Sequence, residues 1–139
     1  FMDNLDCPFR CADTLLSSLQ EQARIILVDF HGEATSEKQA FGWYLDGRVS
    51  AVFGTHTHVQ TADERILSKG TAYITDIGMT GPAEGIIGVE RETVIKRFIT
   101  QMPQRFQPAK GPGELNGILL DIDEVTATSL GIKRITECG

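Results

Sequence analysis

Val49-Ser50-Ala51-Val52-Phe53, followed at once by Gly54-Thr55-His56-Thr57-His58-Val59-Gln60, is the stretch that decides the fold of this chain. The apolar run reads as a buried strand, and the polar, histidine-bearing segment after it as the loop at that strand's carboxyl end. A second apolar run, Ile25-Ile26-Leu27-Val28, leads in the same way into Asp29-Phe30-His31-Gly32-Glu33. Between the two, Thr35-Ser36-Glu37-Lys38 reads as a helix start with Ser36 as a possible cap. The helix is expected to run through Trp43 and Tyr44 and to stop near Asp46-Gly47. Strand, helix and strand joined by short connections make a βαβ unit, which requires a parallel pair and a crossover. His31, His56 and His58, the only histidines of the chain, are therefore expected at one carboxyl edge of a sheet, where open α/β sheets place their sites.

In an extended segment alternate side chains share a face, so His56 and His58 are expected to project together. Two imidazoles held that way can bind one metal ion or divide between two. The plainer reading of such a pair is surface histidines in a polar loop, and His31 in an equivalent post-strand position weighs against it. Glu33, Thr55, Thr57, Gln60 and Asp76 are the nearby polar residues expected to fix the imidazole tautomers. No residue is assigned a catalytic acid or base role.

Outward from this unit, Arg10 to about Ala23 carries Leu15, Leu16 and Leu19 at helical spacing, with Asp13 or Thr14 as candidate caps. Arg65-Ile66-Leu67 and Thr71–Thr75 flank Lys69-Gly70 as a β-hairpin. Asp76-Ile77-Gly78-Met79-Thr80-Gly81-Pro82 reads as a loop beside the site or as a structural turn. Gly88 to Gln101 is helical and Pro103 ends it. The remainder reads as a three-strand meander: Gln104–Ala109, Leu115–Ile122 and Leu130–Ile135. Asp121-Ile122-Asp123-Glu124 is a weak candidate for a cation, since acidic residues at a strand end are usually just solvated.

Composition sets the outer bounds. The chain has 139 residues, room for one domain with a core, and its 41% hydrophobic and 23% charged content exclude a disordered segment. A net charge of −6 argues against a polyanion binder, because nucleic-acid affinity comes from neutralising phosphates with Lys and Arg. No apolar run approaches the roughly 20 residues that cross a bilayer, and a cytoplasmic location is expected. Cys7, Cys11 and Cys138 are an odd set that does not resemble a disulfide framework and are expected to be reduced thiols. The chain opens on Phe1 rather than Met, so it is expected to be the later part of a longer protein.

With these motifs in place, the chain resembles the C-terminal half of the YmdB-type calcineurin-like metallophosphoesterases, described as 2',3'-cyclic-nucleotide 2'-phosphodiesterases. The likeness is carried by Asp29 to Lys38, Gly42-Trp43-Tyr44, Gly54 to Asp63, Ala72 to Pro82, Arg91-Glu92-Thr93 and Lys96-Arg97-Phe98. It implies an α/β fold, half of a four-layer α/β/β/α sandwich with a mixed sheet and flanking helices, residues 1–139 forming a single partial domain. It implies a dinuclear centre of iron or manganese, with His31 and His56 as ligands of one metal and His58 of the other. The implied activity is hydrolysis of small cyclic nucleotides, a phosphoester substrate, with the ions stabilising phosphoryl charge. A broad-specificity phosphatase and a truncated non-catalytic module are the alternatives. The family's aspartate after its first strand, its Asn-Gly-Glu-Asn segment and its Gly-Asn-His segment do not occur here, so a weak one-metal site or none is expected of these residues alone. The face that the missing half would cover is expected to be exposed, and to dimerise or to leave the chain marginally stable.

Overall fold

The computed structural model describes residues 5–139. Its architecture is mixed α/β, as expected, and is built on two sheets. The first helix, α1 (Pro8–Leu19), precedes β1 (Leu27–His31), α2 (Thr35–Leu45) and β2 (Ala51–Thr55). Next come β3 (Arg65–Ile66), β4 (Ala72–Ile74), β5 (Gly81–Pro82), α3 (Arg91–Thr100), β6 (Gly113–Ile122) and β7 (Ser129–Cys138). The first sheet has the order β1-β2-β4-β3, parallel except for the antiparallel β3, and the second is the antiparallel β5-β6-β7.

The parallel register sets the site. Leu27 lies opposite Ala51 and His31 opposite Thr55, so one imidazole closes β1 beside the last residue of β2. Val28 and Phe30 turn toward the helices, where Phe30 stacks on Phe41 with ring centroids 4.3 Å apart. There Leu16, Phe41, Leu45, Val52 and Tyr73 form the core. The residues Lys38, Phe41, Gly42 and Leu45 fall at the helical i, i+3, i+4, i+7 spacing and make the buried stripe of α2. At Gly42 a Cβ would overlap the Tyr73 ring, so glycine lets α2 settle onto the sheet.

Several expectations are corrected in detail. The first helix begins at Pro8, with Cys7 as N-cap and proline at N1, where its missing N–H costs nothing. Asp13 sits inside the helix instead, accepting hydrogen bonds from Tyr44 Oη (2.6 Å) and Arg48 Nη2 (2.6 Å). Ala34, not Ser36, is the N-cap of α2. Gly47 does adopt a left-handed φ of 77° after that helix. Gln104–Ala109 is not a strand; its contribution to pairing is an isolated bridge from Pro108 to Val89. The third strand of the second sheet is Gly81–Pro82, drawn from the glycine-rich loop. Asp123 folds a turn by accepting the Val125 and Thr126 N–H groups on Oδ1 (2.7 and 2.9 Å), so one of its two carboxylate oxygens is taken by main chain.

The central strands of the first sheet do not form the expected bare face. Ala51, Val52, Ala72, Tyr73 and Ile74 are buried, and β7 runs against β3 and β4, with Ser129 Oγ donating to Ser50 O at 2.7 Å. Exposed large apolar side chains include Leu27 on the edge strand β1 with Leu15 and Leu19 of α1, which border an apolar groove, and also Ile95, Phe98 and Ile99 of α3 and Leu115, Leu119 and Leu130 of the second sheet. All three thiols are free.

Candidate metal centre

The strand ends bring His31 and His56 together. His31 Nε2 and His56 Nδ1 lie 3.1 Å apart, with the rings edge to face. Two nitrogens each about 2.1 Å from one ion, at an angle between about 90° and 109°, are separated by about 3.0–3.4 Å, so this spacing matches one edge of a coordination polyhedron.

The outer nitrogens are tied down. Thr55 Oγ1 donates its single proton to Asp29 Oδ1 (2.7 Å), so it must accept from His31 Nδ1 (2.9 Å). That leaves the Nε2 of His31 as the lone-pair nitrogen. On the other ring, His56 Nε2 faces Glu33 Oε2 at 2.6 Å, which places its proton there and directs Nδ1 toward His31. A carboxylate behind a ligating imidazole is the arrangement that orients metal-binding histidines. Asp29 escaped the sequence reading, although its position two residues before His31 puts it on the same face of the strand.

His58 takes a different direction. Its Nδ1 donates to Ile87 O at 3.1 Å, which leaves Nε2 free. Among the described residues, no group of three or more His, Cys, Asp or Glu side chains is gathered to hold a metal ion. The donor set therefore fits an ion in part: two convergent imidazoles, with further donors required from elsewhere.

Both loop histidines sit at positive φ, 108° for His56 and 66° for His58. Such conformations cost non-glycine residues on the order of 1–3 kcal/mol each and persist only where surroundings hold them. Holding is done by Asp76, which is fully buried and ion-paired to the equally buried Lys38 at 2.8 Å. Burial pushes the Asp76 carboxyl up, yet the Lys38 ammonium and the N–H groups of Gly78 and Thr57 outweigh it, and the group titrates below the ordinary aspartate value. Of the residues expected to fix tautomers, Glu33 and Thr55 touch imidazoles. Asp76 and Thr57 bond each other through the Thr57 N–H at 3.0 Å. Gln60 points its amide to Ile77 O (3.2 Å) and Gly117 O (3.0 Å), tying the loop to the second sheet. Lys38 was missed, though its place on the apolar stripe of α2 was the available signal.

The profile of the family described as YmdB-like protein matches residues 1–135. The chain belongs to this family. It is 58% identical over 135 residues to the 2',3'-cyclic-nucleotide 2'-phosphodiesterase of Bacillus subtilis strain 168, covering 97% of this chain and 51% of that protein. A crystal structure of a hypothetical protein from Thermus thermophilus superposes with a TM-score of 0.91 at 48% identity, covering 99% of this chain and 53% of that one. A phosphatase from Mycoplasma pneumoniae superposes with a TM-score of 0.87 at 40% identity, covering 94% of this chain and 46% of that one. The chain thus spans about half the length of these relatives. Among the described residues no helix is long and apolar enough to cross a membrane.

Proposed function

We propose that this chain supplies the histidine side of a metal-dependent phosphodiester hydrolase acting on small cyclic nucleotides. The observation that carries this reading is the convergence of His31 Nε2 and His56 Nδ1 at 3.1 Å, each ring held from behind by Thr55 or Glu33. The name of the Bacillus subtilis relative supports the substrate class. His31 and His56 would hold one ion and His58, through its free Nε2, a second. Iron and manganese both accept imidazole. When bound, the ions supply Lewis acidity toward the phosphoryl oxygens.

The chain's own residues do the positioning. Thr55 and Glu33 bond the outer nitrogens and so orient the rings with His31 Nε2 and His56 Nδ1 facing each other. A cleft of about 380 Å³ beside His58, walled by Val59, Met79 and Ile87, offers a small nucleotide a place next to the imidazoles. The remaining donors would come from the half of the relatives' length that this chain does not span, packed along the open edge of β1.

A broader phosphatase is the second reading, favoured by the Mycoplasma pneumoniae structure. A non-catalytic module is the third, favoured by the finding that, among the described residues, no third donor is gathered with the two imidazoles. Elemental analysis of the longer parent protein decides between metal site and module: bound iron or manganese, lost on His56→Ala and His58→Ala, is expected. Hydrolysis of 2',3'-cyclic AMP in preference to 3',5'-cyclic AMP and an aryl phosphate is expected of the first reading, and equal rates on all three would overturn it in favour of the second.

A further inference from the structure

The buried pair of Lys38 and Asp76 grips main chain on both sides of His56. Lys38 Nζ donates to the Thr55 carbonyl oxygen at 2.7 Å as well as to Asp76 Oδ2 at 2.8 Å. The same Oδ2 accepts the Thr57 N–H at 3.0 Å, while Oδ1 accepts the Gly78 N–H at 2.9 Å. The main chain of Asp76 closes the far end of the loop: its carbonyl accepts the Thr61 N–H at 3.0 Å and its N–H donates to Thr61 Oγ1 at 2.9 Å. The residue before His56, the residue after it and the end of the histidine loop thus all meet one buried ion pair.

Stability alone is a poor explanation for such a pair. Two charges removed from water recover little over apolar residues of the same volume, so a buried ion pair is better understood by the conformation it selects. Here the conformation is unusual, since His56 and His58 stand at φ 108° and 66°, where side chains are disfavoured. A left-handed turn of this kind has no helix or ladder to hold it, and the Thr55 carbonyl and the Thr57 N–H are the groups that fix the peptide planes on either side of His56.

We infer that Lys38 and Asp76 are positioning residues, an ion-pair clamp that holds the His56-Thr57-His58 turn in the conformation that presents both imidazoles. This inference rests on the reading of those imidazoles as metal ligands, and its purpose in the protein follows from that reading. The clamp itself is a property of the turn and can be measured without metal.

The test compares the unmodified protein with Lys38→Met/Asp76→Leu, which replaces the pair by apolar side chains, and with Asp76→Asn. Asparagine can keep its oxygen on the Thr57 N–H and Lys38 Nζ, but it gives up the charge that pairs the buried Lys38 and turns an NH2 toward the Gly78 N–H. Three readouts are taken: amide exchange at Thr57, the long-range ¹H–¹⁵N spectrum of the histidine rings, and Mn²⁺ affinity by electron paramagnetic resonance. In the double variant thermal stability is expected to fall, because the Thr55 carbonyl and the Thr57 and Gly78 N–H groups lose their partners, and Thr57 exchange is expected to accelerate at least ~10-fold more than that of the sheet amide of Ala72, which bonds Ser50 O. The His56 and His58 ring signals are expected to move, and Mn²⁺ binding to weaken ~10–100-fold, the range seen when the residues orienting a ligand are removed. Asp76→Asn is expected to keep most of the Thr57 protection. A folded double variant with unchanged Thr57 exchange and unchanged ring signals overturns the inference.

Should the double variant not fold, exchange in the unmodified protein decides. Thr57 is expected to be protected to the same degree as Ile77, whose N–H bonds Gly54 O at 2.9 Å, and exchange at the rate of an open loop amide overturns the clamp. Failure of the longer parent protein, with the remaining donors in place, to bind Mn²⁺ overturns the metal reading instead, and the Thr57 and ring readouts still decide the clamp.

Discussion

Replacing Gly54 with alanine tests the packing beneath the histidine turn most directly. Gly54 is the fourth residue of β2, two residues before His56. A Cβ there would overlap the Thr75 carbonyl oxygen and stand 2.9 Å from both the Thr75 carbonyl carbon and Lys38 Cδ. The lysine could shift its stem, but the carbonyl belongs to main chain in the buried segment after β4, so the strands must separate. Overpacking of this kind costs about 1–3 kcal/mol and sometimes more. Moving β2 also disturbs the Ile77 N–H bond to Gly54 O and the Lys38 bond to Thr55 O, at about 1 kcal/mol each.

The expected loss is therefore about 3–5 kcal/mol, or about 10–20 °C in Tm for a chain of this size. Urea unfolding followed by circular dichroism measures it, with Gly117→Ala as the control. Gly117 lies in β6 with nothing within 4 Å of the place an added methyl group would take, and alanine there is expected to change stability by less than about 1 kcal/mol. A Gly54→Ala protein with a midpoint and slope matching the Gly117→Ala control would refute the close-approach argument.

Three further outcomes are expected. Asp76 and Asp63 both titrate below the ordinary aspartate value of 3.8; at each, burial raises the pKa but is outweighed by Lys38 and main-chain N–H groups at Asp76, and by Thr61 and Thr75 at Asp63. Below 3.8 and down to their folded values the unfolded chain binds more protons, so stability is present above that range and falls with pH through it. Asp63→Asn should flatten that slope in urea midpoints measured against pH, and an unchanged slope would sink the assignment. Leu45→Ala, at a site with no solvent exposure in the core of α2, is expected to cost about 3–4 kcal/mol in the same assay; a loss under about 1 kcal/mol would mean that the core is not continuous there. Expressed alone, the 139-residue chain is expected to self-associate through the open β1 edge and its Leu15, Leu19 and Leu27 border. A monodisperse monomer in light scattering that unfolds cooperatively would overturn this.

The elements near the site were legible because each follows from local pattern. Two apolar runs ending in histidine motifs, with a helix-length segment between them, leave only a parallel pair, and β1, α2 and β2 form it within two residues of the expected bounds. The second sheet was read less well. Gly81–Pro82 carries no strand propensity and pairs only because β6 offers a partner, whereas Gln104–Ala109 has strand-like residues but meets only a single bridge. Side-chain contacts were legible where residues are close in sequence or register, as with Thr55 and His31. Gln60 could not be placed because its partners Ile77 and Gly117 lie on elements whose approach depends on tertiary packing.

Register links fold to chemistry at this site. Because β1 and β2 run parallel with His31 opposite Thr55, the threonine hydroxyl reaches Nδ1, and its only proton goes to Asp29 on the same face. A slip of one residue would put Gly54 or His56 opposite His31 and turn the imidazole to the other face of the sheet. The lone pair on His31 Nε2 is thus set by strand pairing, while that on His56 Nδ1 depends on a strained turn and an exposed carboxylate, Glu33. The two facing nitrogens therefore differ in how firmly they are held: His31 is as rigid as the sheet, and His56 is as rigid as whatever pins its turn. That asymmetry makes the buried ion pair beneath His56, rather than the imidazoles themselves, the element on which the geometry of the pair depends.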